Sequence, residues 1–232
     1  MINTAEVKMW GTRIAVIHLD EKNPYVSFEY DKQFVKSGIE VAPIHMPLSN
    51  RVYEFPNLVS DAFHGVPGMI ADSLPDKFGN SIINQWLASQ GKTERDFNVI
   101  DRLCYTGLRG MGALEYYPAN GPIPETDEPV NVKEMVRFAS AVLNNRENSG
   151  LEMSEKLTCR QLLQLGTSAG GARAKAIIAW NEKTHEIRSG QISLGKDFGY
   201  WLMKLDGVSR NGDHGVEDEP EYTLIEYAYY KM

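Results

Sequence analysis

Residues 13–31, RIAVIHLDEKNPYVSFEYD, decide the fold of the first part of the chain. RIAVIHLD is rich in β-branched residues, and YVSFEYD alternates so that Val26, Phe28 and Tyr30 share one face. EKNP between them favours a turn, since Asn and Pro suit turn conformations. The stretch therefore predicts two antiparallel strands with a buried face.

Helices are predicted in the part of the sequence that follows a proline-rich stretch. FGNSIINQWLASQG (78–91) has helical periodicity, a second helix is predicted at about 94–105, and ALEYYPA (113–119) predicts a short strand. Asp72 and Asp76 are interpreted as caps of a turn and of a helix start, in preference to paired acid catalysts. The apolar face predicted for the first helix contains Ile82, Ile83, Trp86 and Leu87.

The domain organisation follows from a break in composition. NGPIPETDEP (120–129) holds three prolines and three acids, which is typical of a linker. We predict an N-terminal domain over 1–119, a linker over 120–130 and a second domain over 131–232. Helices are predicted over NVKEMVRFASAVLNN (131–145) and TCRQLLQL (158–165). The predicted fold class is α/β (α+β), with an antiparallel sheet and helices in the first domain.

Composition narrows the function classes. The chain has 232 residues and a net charge of -7, which argues against nucleic-acid binding by the whole surface. No apolar run reaches membrane-spanning length, and the N-terminus lacks a signal-peptide pattern. Cys104 and Cys159 are expected to be reduced thiols. We therefore expect a cytoplasmic protein with no membrane partner.

The stretch GTSAGGARAKA (166–176) allows three interpretations. Gly166 to Gly170 fit G-x-S-x-G, the nucleophile elbow of serine hydrolases, with Ser168 as nucleophile and Asp206 and His214 as later acid and histidine. An elbow joins a strand to a following helix, but here a helix-like segment precedes the serine and the strand-like AKAIIAW follows it. The second interpretation is a Walker-type phosphate loop, but this stretch lacks the Gly-Lys-Ser/Thr ending that such a loop requires.

The third interpretation is a glycine loop that precedes a strand and covers nucleotide phosphates. Such loops are followed by a strand lysine that contacts the phosphates, and Lys204 in GYWLMKLDG (199–207) has this position. A lysine in so apolar a strand needs a partner, because an unpaired buried ammonium is costly. The alternative is an edge-strand lysine that reaches solvent.

Segments along nearly the whole chain resemble HipA, the serine/threonine kinase toxins of bacterial toxin–antitoxin pairs. FEYDKQFVKSGIEVAPIHMPL, IADSLPDKFGNSIINQWL and RGMGALEYYP are similar to the N-terminal region of that family. LGTSAGGARAKAIIAW resembles its S-x-x-G-A-x-x-K phosphate loop, and WLMKL resembles its ATP-lysine strand.

The resemblance implies roles for individual residues. Ser168 falls on the autophosphorylated serine whose modification silences the kinase, and Lys204 on the lysine that holds ATP phosphates. Lys175 falls on the closing lysine of the phosphate loop. The ATP-binding loop itself is implied to comprise Ser168, Ala169, Gly170, Gly171 and Ala172.

The resemblance also implies ATP and Mg²⁺ as cofactors. It implies a HipB-like antitoxin as partner, and this chain would contact DNA only indirectly, through that antitoxin. We expect no catalytic or metal-binding residue among these 232. HLDEKN (18–23) echoes a kinase catalytic loop, but Tyr25 stands where the asparagine is needed, and no Asp-Phe-Gly is expected. The sequence is expected to stop before the rest of the kinase. It would be inactive alone, or a non-catalytic module that binds an antitoxin or a complementary kinase half.

Overall fold

The computed structural model describes residues 1–20, 22–58, 62–122, 129–144, 174–208 and 221–232. Helices and antiparallel strands are mixed, so the predicted α+β class is confirmed. The described strands are β1 (Thr4–Met9), β2 (Thr12–Leu19), β3 (Val26–Tyr30), β4 (Val52–Tyr53), β5 (Leu114–Tyr117), β6 (Lys175–Trp180), β7 (Ile187–Ser189) and β8 (Gly199–Lys204). The described α-helices are α1 (Lys32–Val35), α2 (Gly68–Ala71), α3 (Lys77–Ser89), α4 (Val99–Thr106), α5 (Val132–Asn144) and α6 (Tyr222–Lys231).

The chain forms two compact units. The first contains Met1–Leu74 and Glu94–Gly121, and the second contains Pro75–Thr93 and Pro122–Met232. The contacts thus group α3 with the second unit, although it precedes the predicted linker. That linker (120–130) is described at its two ends only, and the helix predicted over 158–165 lies outside the described residues.

The first unit is built on a five-stranded sheet with the order β4-β3-β2-β1-β5, in which every neighbouring pair is antiparallel. The predicted hairpin is confirmed, because β2 and β3 pair with Ile17 opposite Phe28. The alternating face is buried, and the Phe28 and Tyr30 rings meet edge to face with centroids 4.8 Å apart. The Tyr30 hydroxyl donates to the Met46 carbonyl at 2.8 Å, which satisfies its buried polar group.

The predicted helix at 94–105 is divided in the structure. A 3₁₀ turn covers Glu94–Asp96, and α4 begins only at Val99. The reason is a capping box, in which Asn98 accepts the Asp101 N–H and Asp101 accepts the Asn98 N–H. The cap fixes the helix start and turns the Cys104 side of α4 into the core.

The second unit contains a three-stranded sheet with β6 between β7 and β8. The strands predicted in AKAIIAW and GYWLMKLDG are therefore confirmed. Helix α3 packs against α5 and buries its predicted apolar face. Asp76 caps α3 as predicted, because its carboxylate accepts the Gly79 N–H at 2.8 Å.

Candidate functional site

Lys175 and Lys204 are direct partners across the second sheet. Lys175 is the first residue of β6, Lys204 is the last residue of β8, and the antiparallel register places them opposite each other. Directly opposed residues project from the same face of a sheet, with Cβ atoms about 5 Å apart. The structure thus brings together the two lysines for which the family resemblance implies phosphate binding.

Lys175 is buried and ion-paired. Its ammonium lies 3.0 Å from Asp76 Oδ2, and the exposed fractions of the two side chains are 5% and 11%. The two oxygens of the Asp76 carboxylate make different contacts. Oδ1 accepts the Gly79 N–H, and Oδ2 accepts a hydrogen bond from the Lys175 ammonium. The pair neutralises a charge that would be costly to bury alone.

Lys204 has a different environment. Within the described residues β8 is an edge strand, and the Lys204 side chain is 40% exposed. Its ammonium donates to Glu226 Oε1 on α6. Lys204 is thus a partly exposed lysine on a strand that is at the edge within the described residues, and it has an acidic partner; its role in phosphate binding stays a prediction.

The position of Glu226 follows from the start of α6. The Asp206 carboxylate, two residues after Lys204, accepts the Glu221 N–H at 2.8 Å just before the helix begins at Tyr222. This contact links the residue before α6 to the segment that follows β8. Asp206, the acid considered for a hydrolase triad, is thus seen in a contact with the backbone.

Several residues predicted for the site cannot be placed. Ser168, Ala169, Gly170, Gly171, Ala172 and the hydrolase candidate His214 lie outside the described residues. Sequence reasoning recognised Asp76 only as a cap and did not single out Glu226. The signal available was indirect, since a lysine in an apolar strand needs an acid nearby.

The expectation that the sequence contains no Asp-Phe-Gly is wrong, because residues 197–199 read Asp-Phe-Gly. The tripeptide belongs to the turn that leads into β8, where the Phe198 N–H donates to the Gly195 carbonyl at 3.2 Å. It precedes Lys204 along the chain, whereas the magnesium aspartate of kinases follows both the strand lysine and the catalytic loop. We therefore assign no metal role to Asp197.

The first unit has an apolar pocket of about 520 Å³, within the size range of small-molecule sites. It has few ionisable groups, among them His45 and Glu54. Sequence analysis assigned nothing to this region. The pocket suits an apolar group better than it suits catalysis, and its apolar lining includes Ile44, Met46, Phe55, Leu58, Phe63 and Met69.

Across the described ranges, no three His, Cys, Asp or Glu side chains are gathered as a metal ion would require. None of the helices in those ranges is both long and apolar enough to span a bilayer.

Comparison with known families places a match in the N-terminal part of the chain. Residues 5–117 match the HipA N-terminal domain, just under half of the 232 residues. The match supports the resemblance to that family in the N-terminal part of the chain. It includes Asp76 and ends before the sheet that carries Lys175 and Lys204. A comparison with curated proteins gave no match.

Proposed function

We propose that this chain is the N-terminal part of a HipA-type serine/threonine protein kinase, which transfers the γ-phosphate of ATP to a protein serine or threonine. The observation that supports the proposal is the ion pair between Lys204 at the end of β8 and Glu226 on the helix that follows. Protein kinases hold their phosphate-binding strand lysine in the same way, with a helix glutamate.

The environment of Lys204 suits an ATP phosphate. An ammonium has three N–H donors, the contact with Glu226 uses one, and the side chain is partly exposed. ATP would supply the phosphoryl group, and Lys204 would contact its phosphates. The described residues offer no cluster for Mg²⁺, so we give the metal no step among them.

The glycine-rich segment completes the proposal. It leads directly into β6, the strand next to Lys204. Backbone N–H groups of Gly170, Gly171 and Ala172 would lie over the phosphates, where small residues permit close approach. Phosphorylation of Ser168 would add about −1.5 to −2 charges beside the nucleotide and repel it.

A second candidate is a non-catalytic module that binds a HipB-like antitoxin or a complementary kinase half. This candidate is favoured by large apolar side chains that stay exposed on β8 and α6 of the second unit. Exposed apolar groups of this size are typical of surfaces that meet another polypeptide. They are Tyr200 (49% exposed), Trp201 (50%), Leu202 (42%), Leu224 (63%), Ile225 (53%) and Tyr227 (60%).

Calorimetric titration of the chain with ATP, with and without Mg²⁺, tests the kinase proposal. We expect Lys204→Met to weaken ATP binding about tenfold or more, the effect of losing one charge-assisted hydrogen bond. Lys196→Met is the matched control, because Lys196 is exposed and precedes the same strand at its other end. Equal affinity of both variants, or no ATP binding by the unaltered chain, would favour the binding module.

A further inference from the structure

The apolar pocket of the first unit is lined by three stretches of chain: residues 42–46, residues 54–58, and Phe63 together with residues 67–69. We propose that this pocket binds a small organic molecule that has an apolar body and one cationic group. All the lining residues belong to the first unit, so the proposed site does not depend on the kinase proposal for the second unit.

Hydrogen bonds hold the walls of the pocket in place. The Met46 N–H donates to the Ala42 carbonyl at 2.9 Å, and the Met46 carbonyl accepts the Tyr30 hydroxyl at 2.8 Å. The Gly65 N–H donates to the Leu58 carbonyl at 2.9 Å, which ties the second stretch to the third. The walls are therefore formed before a ligand arrives, as is usual for small-molecule sites.

The volume of the pocket suits a whole small molecule better than a single side chain of a partner protein. An apolar cavity of about 150 Å³ is large enough to bind one benzene molecule. The pocket has about 520 Å³, which by the same measure holds roughly 15–20 non-hydrogen atoms. One leucine or phenylalanine side chain would fill only part of this space.

The side chains of the lining suit an aromatic body in the ligand. Phe55 and Phe63 offer rings that a planar ligand can meet in a stacked or edge-to-face arrangement. Met46 and Met69 offer unbranched thioether side chains, which adapt to irregular shapes and make favourable contacts with aromatic rings. Removal of the ligand's apolar surface from water would supply most of the affinity.

The charges of the lining favour a cationic ligand over an anionic one. Glu54 lines the pocket and is also exposed, which places its carboxylate at the mouth. None of the described residues that line the pocket is Lys or Arg, and the other ionisable side chain among them is His45. A cationic group at the mouth would be attracted by Glu54 and stay hydrated, whereas a carboxylate there would be repelled.

Fluorescence titration of the full chain with the neutral dye N-phenyl-1-naphthylamine tests whether the pocket binds an apolar body. We expect a dissociation constant of about 10–100 µM, as is usual for a ligand of this size. Gly68→Leu should weaken dye binding about tenfold or more, because a Cβ at Gly68 would lie 3.6 Å from Phe63 Cε1 and the added side chain would occupy the pocket. Gly112→Leu is the matched control, because Gly112 is in the same unit, does not line the pocket and has open space around its Cβ position.

Displacement of the dye at pH 8 by 1-naphthylmethylamine and by 1-naphthoate tests the charge preference. The two compounds have the same ring system, and at this pH histidine is ordinarily neutral while an aliphatic amine is charged. We expect the amine to bind about fivefold more tightly than the carboxylate, since an exposed carboxylate such as Glu54 has a modest effect. Glu54→Gln should reduce this ratio to less than about twofold and leave the affinity for the neutral dye unchanged.

Each result has a contrary outcome. No dye binding, or dye binding that Gly68→Leu leaves unchanged, would overturn the pocket as a binding site. Equal or tighter binding of the carboxylate in the unaltered chain would overturn the cationic class of ligand. If Gly68→Leu does not fold, Phe63→Ala takes its place, because Phe63 is 36% exposed and its ring forms part of the lining. Its loss should weaken dye binding about threefold or more, and an unchanged affinity would again overturn the site.

Discussion

Lys175 and Lys204 face each other across β6 and β8, and each is paired with a carboxylate from a different helix. Two like charges directly opposed on a sheet would destabilise it. Asp76 and Glu226 neutralise them separately, one pair buried and one at the surface. The buried ion pair should therefore contribute more to the free energy of unfolding than the exposed one.

The first prediction compares the two carboxylates. Glu226→Gln should lower the free energy of unfolding by no more than about 1 kcal/mol, because exposed ion pairs contribute little. Asp76→Asn should cost about 3 kcal/mol, because it removes the charge of a carboxylate that contacts a buried ammonium at 3.0 Å. Urea unfolding followed by tryptophan fluorescence reports mainly on the second unit, which contains Trp86, Trp180 and Trp201. Equal losses for the two variants would contradict the assignment of one pair to the interior.

The second prediction concerns the thiol of Cys104. It is fully buried in α4, and burial, followed by the negative charge of Asp101, raises its pKa to about 12. Only a thiolate reacts readily, so iodoacetamide at pH 8 should leave Cys104 unmodified in the folded protein and modify it in urea. The experiment uses Cys159→Ser, which leaves Cys104 as the single cysteine. Labelling of the folded protein at the rate seen in urea would be the contrary result.

Local patterns sufficed for much of the fold. The face of Val26, Phe28 and Tyr30 could be predicted because a strand buried on one side alternates in sequence. The start of α3 could be predicted because Asp76 satisfies a helix N–H through its own neighbours. In both cases the contacts that determine the local structure join residues that are close together in the sequence.

The site was less predictable because its contacts join residues that are far apart in the sequence. Nothing local to Asp76 indicates that its second oxygen holds Lys175, 99 residues away. The apolar composition of β8 does not reveal that Trp201 and Leu202 remain about half exposed. Periodicity indicates which side chains share a face but not whether another element covers that face.

The third prediction is a loss of stability at alkaline pH. Burial, aided by the nearby Tyr53 and Glu40, raises the pKa of Tyr30 to about 12. Burial also raises the pKa of the Cys104 thiol to about 12. The folded first unit therefore holds these protons more tightly than the unfolded chain does. The stabilisation is complete below about pH 8.5, the ordinary cysteine pKa, and is lost as the pH rises towards 12.

Urea midpoints measured by circular dichroism from pH 8 to pH 11 check this loss. Cys104→Ala should flatten the fall that begins near pH 9, and Tyr30→Phe should flatten the part that begins near pH 10. The chain has 11 tyrosines, so the difference in tyrosinate absorbance between the unaltered chain and Tyr30→Phe gives the independent measure of Tyr30 ionisation. Stability that stays constant over this range in the unaltered chain would contradict both raised pKa values.

The fourth prediction rests on Gly65, which has a φ of +77° in the first unit. Its carbonyl accepts the Val26 N–H at 2.8 Å, which ties it to the start of β3. A Cβ at this position would collide with the Pro24 backbone, whereas one at Gly38, with a φ of +70°, would meet open space. Both glycines have a positive φ that residues with a Cβ rarely adopt, so the backbone cost is common to both and the collision is added at Gly65 alone.

Gly38→Ala should therefore cost about 1 kcal/mol of unfolding free energy, from the left-handed backbone alone. Gly65→Ala should cost about 2–4 kcal/mol, because the collision adds to that strain and displaces the turn that leads into β3. Urea unfolding followed by circular dichroism, with the slope of the transition unchanged, separates a loss of stability from a change in the denatured state. Similar costs for the two variants would mean that the turn moves aside freely, and that the Val26 contact does not fix where β3 begins.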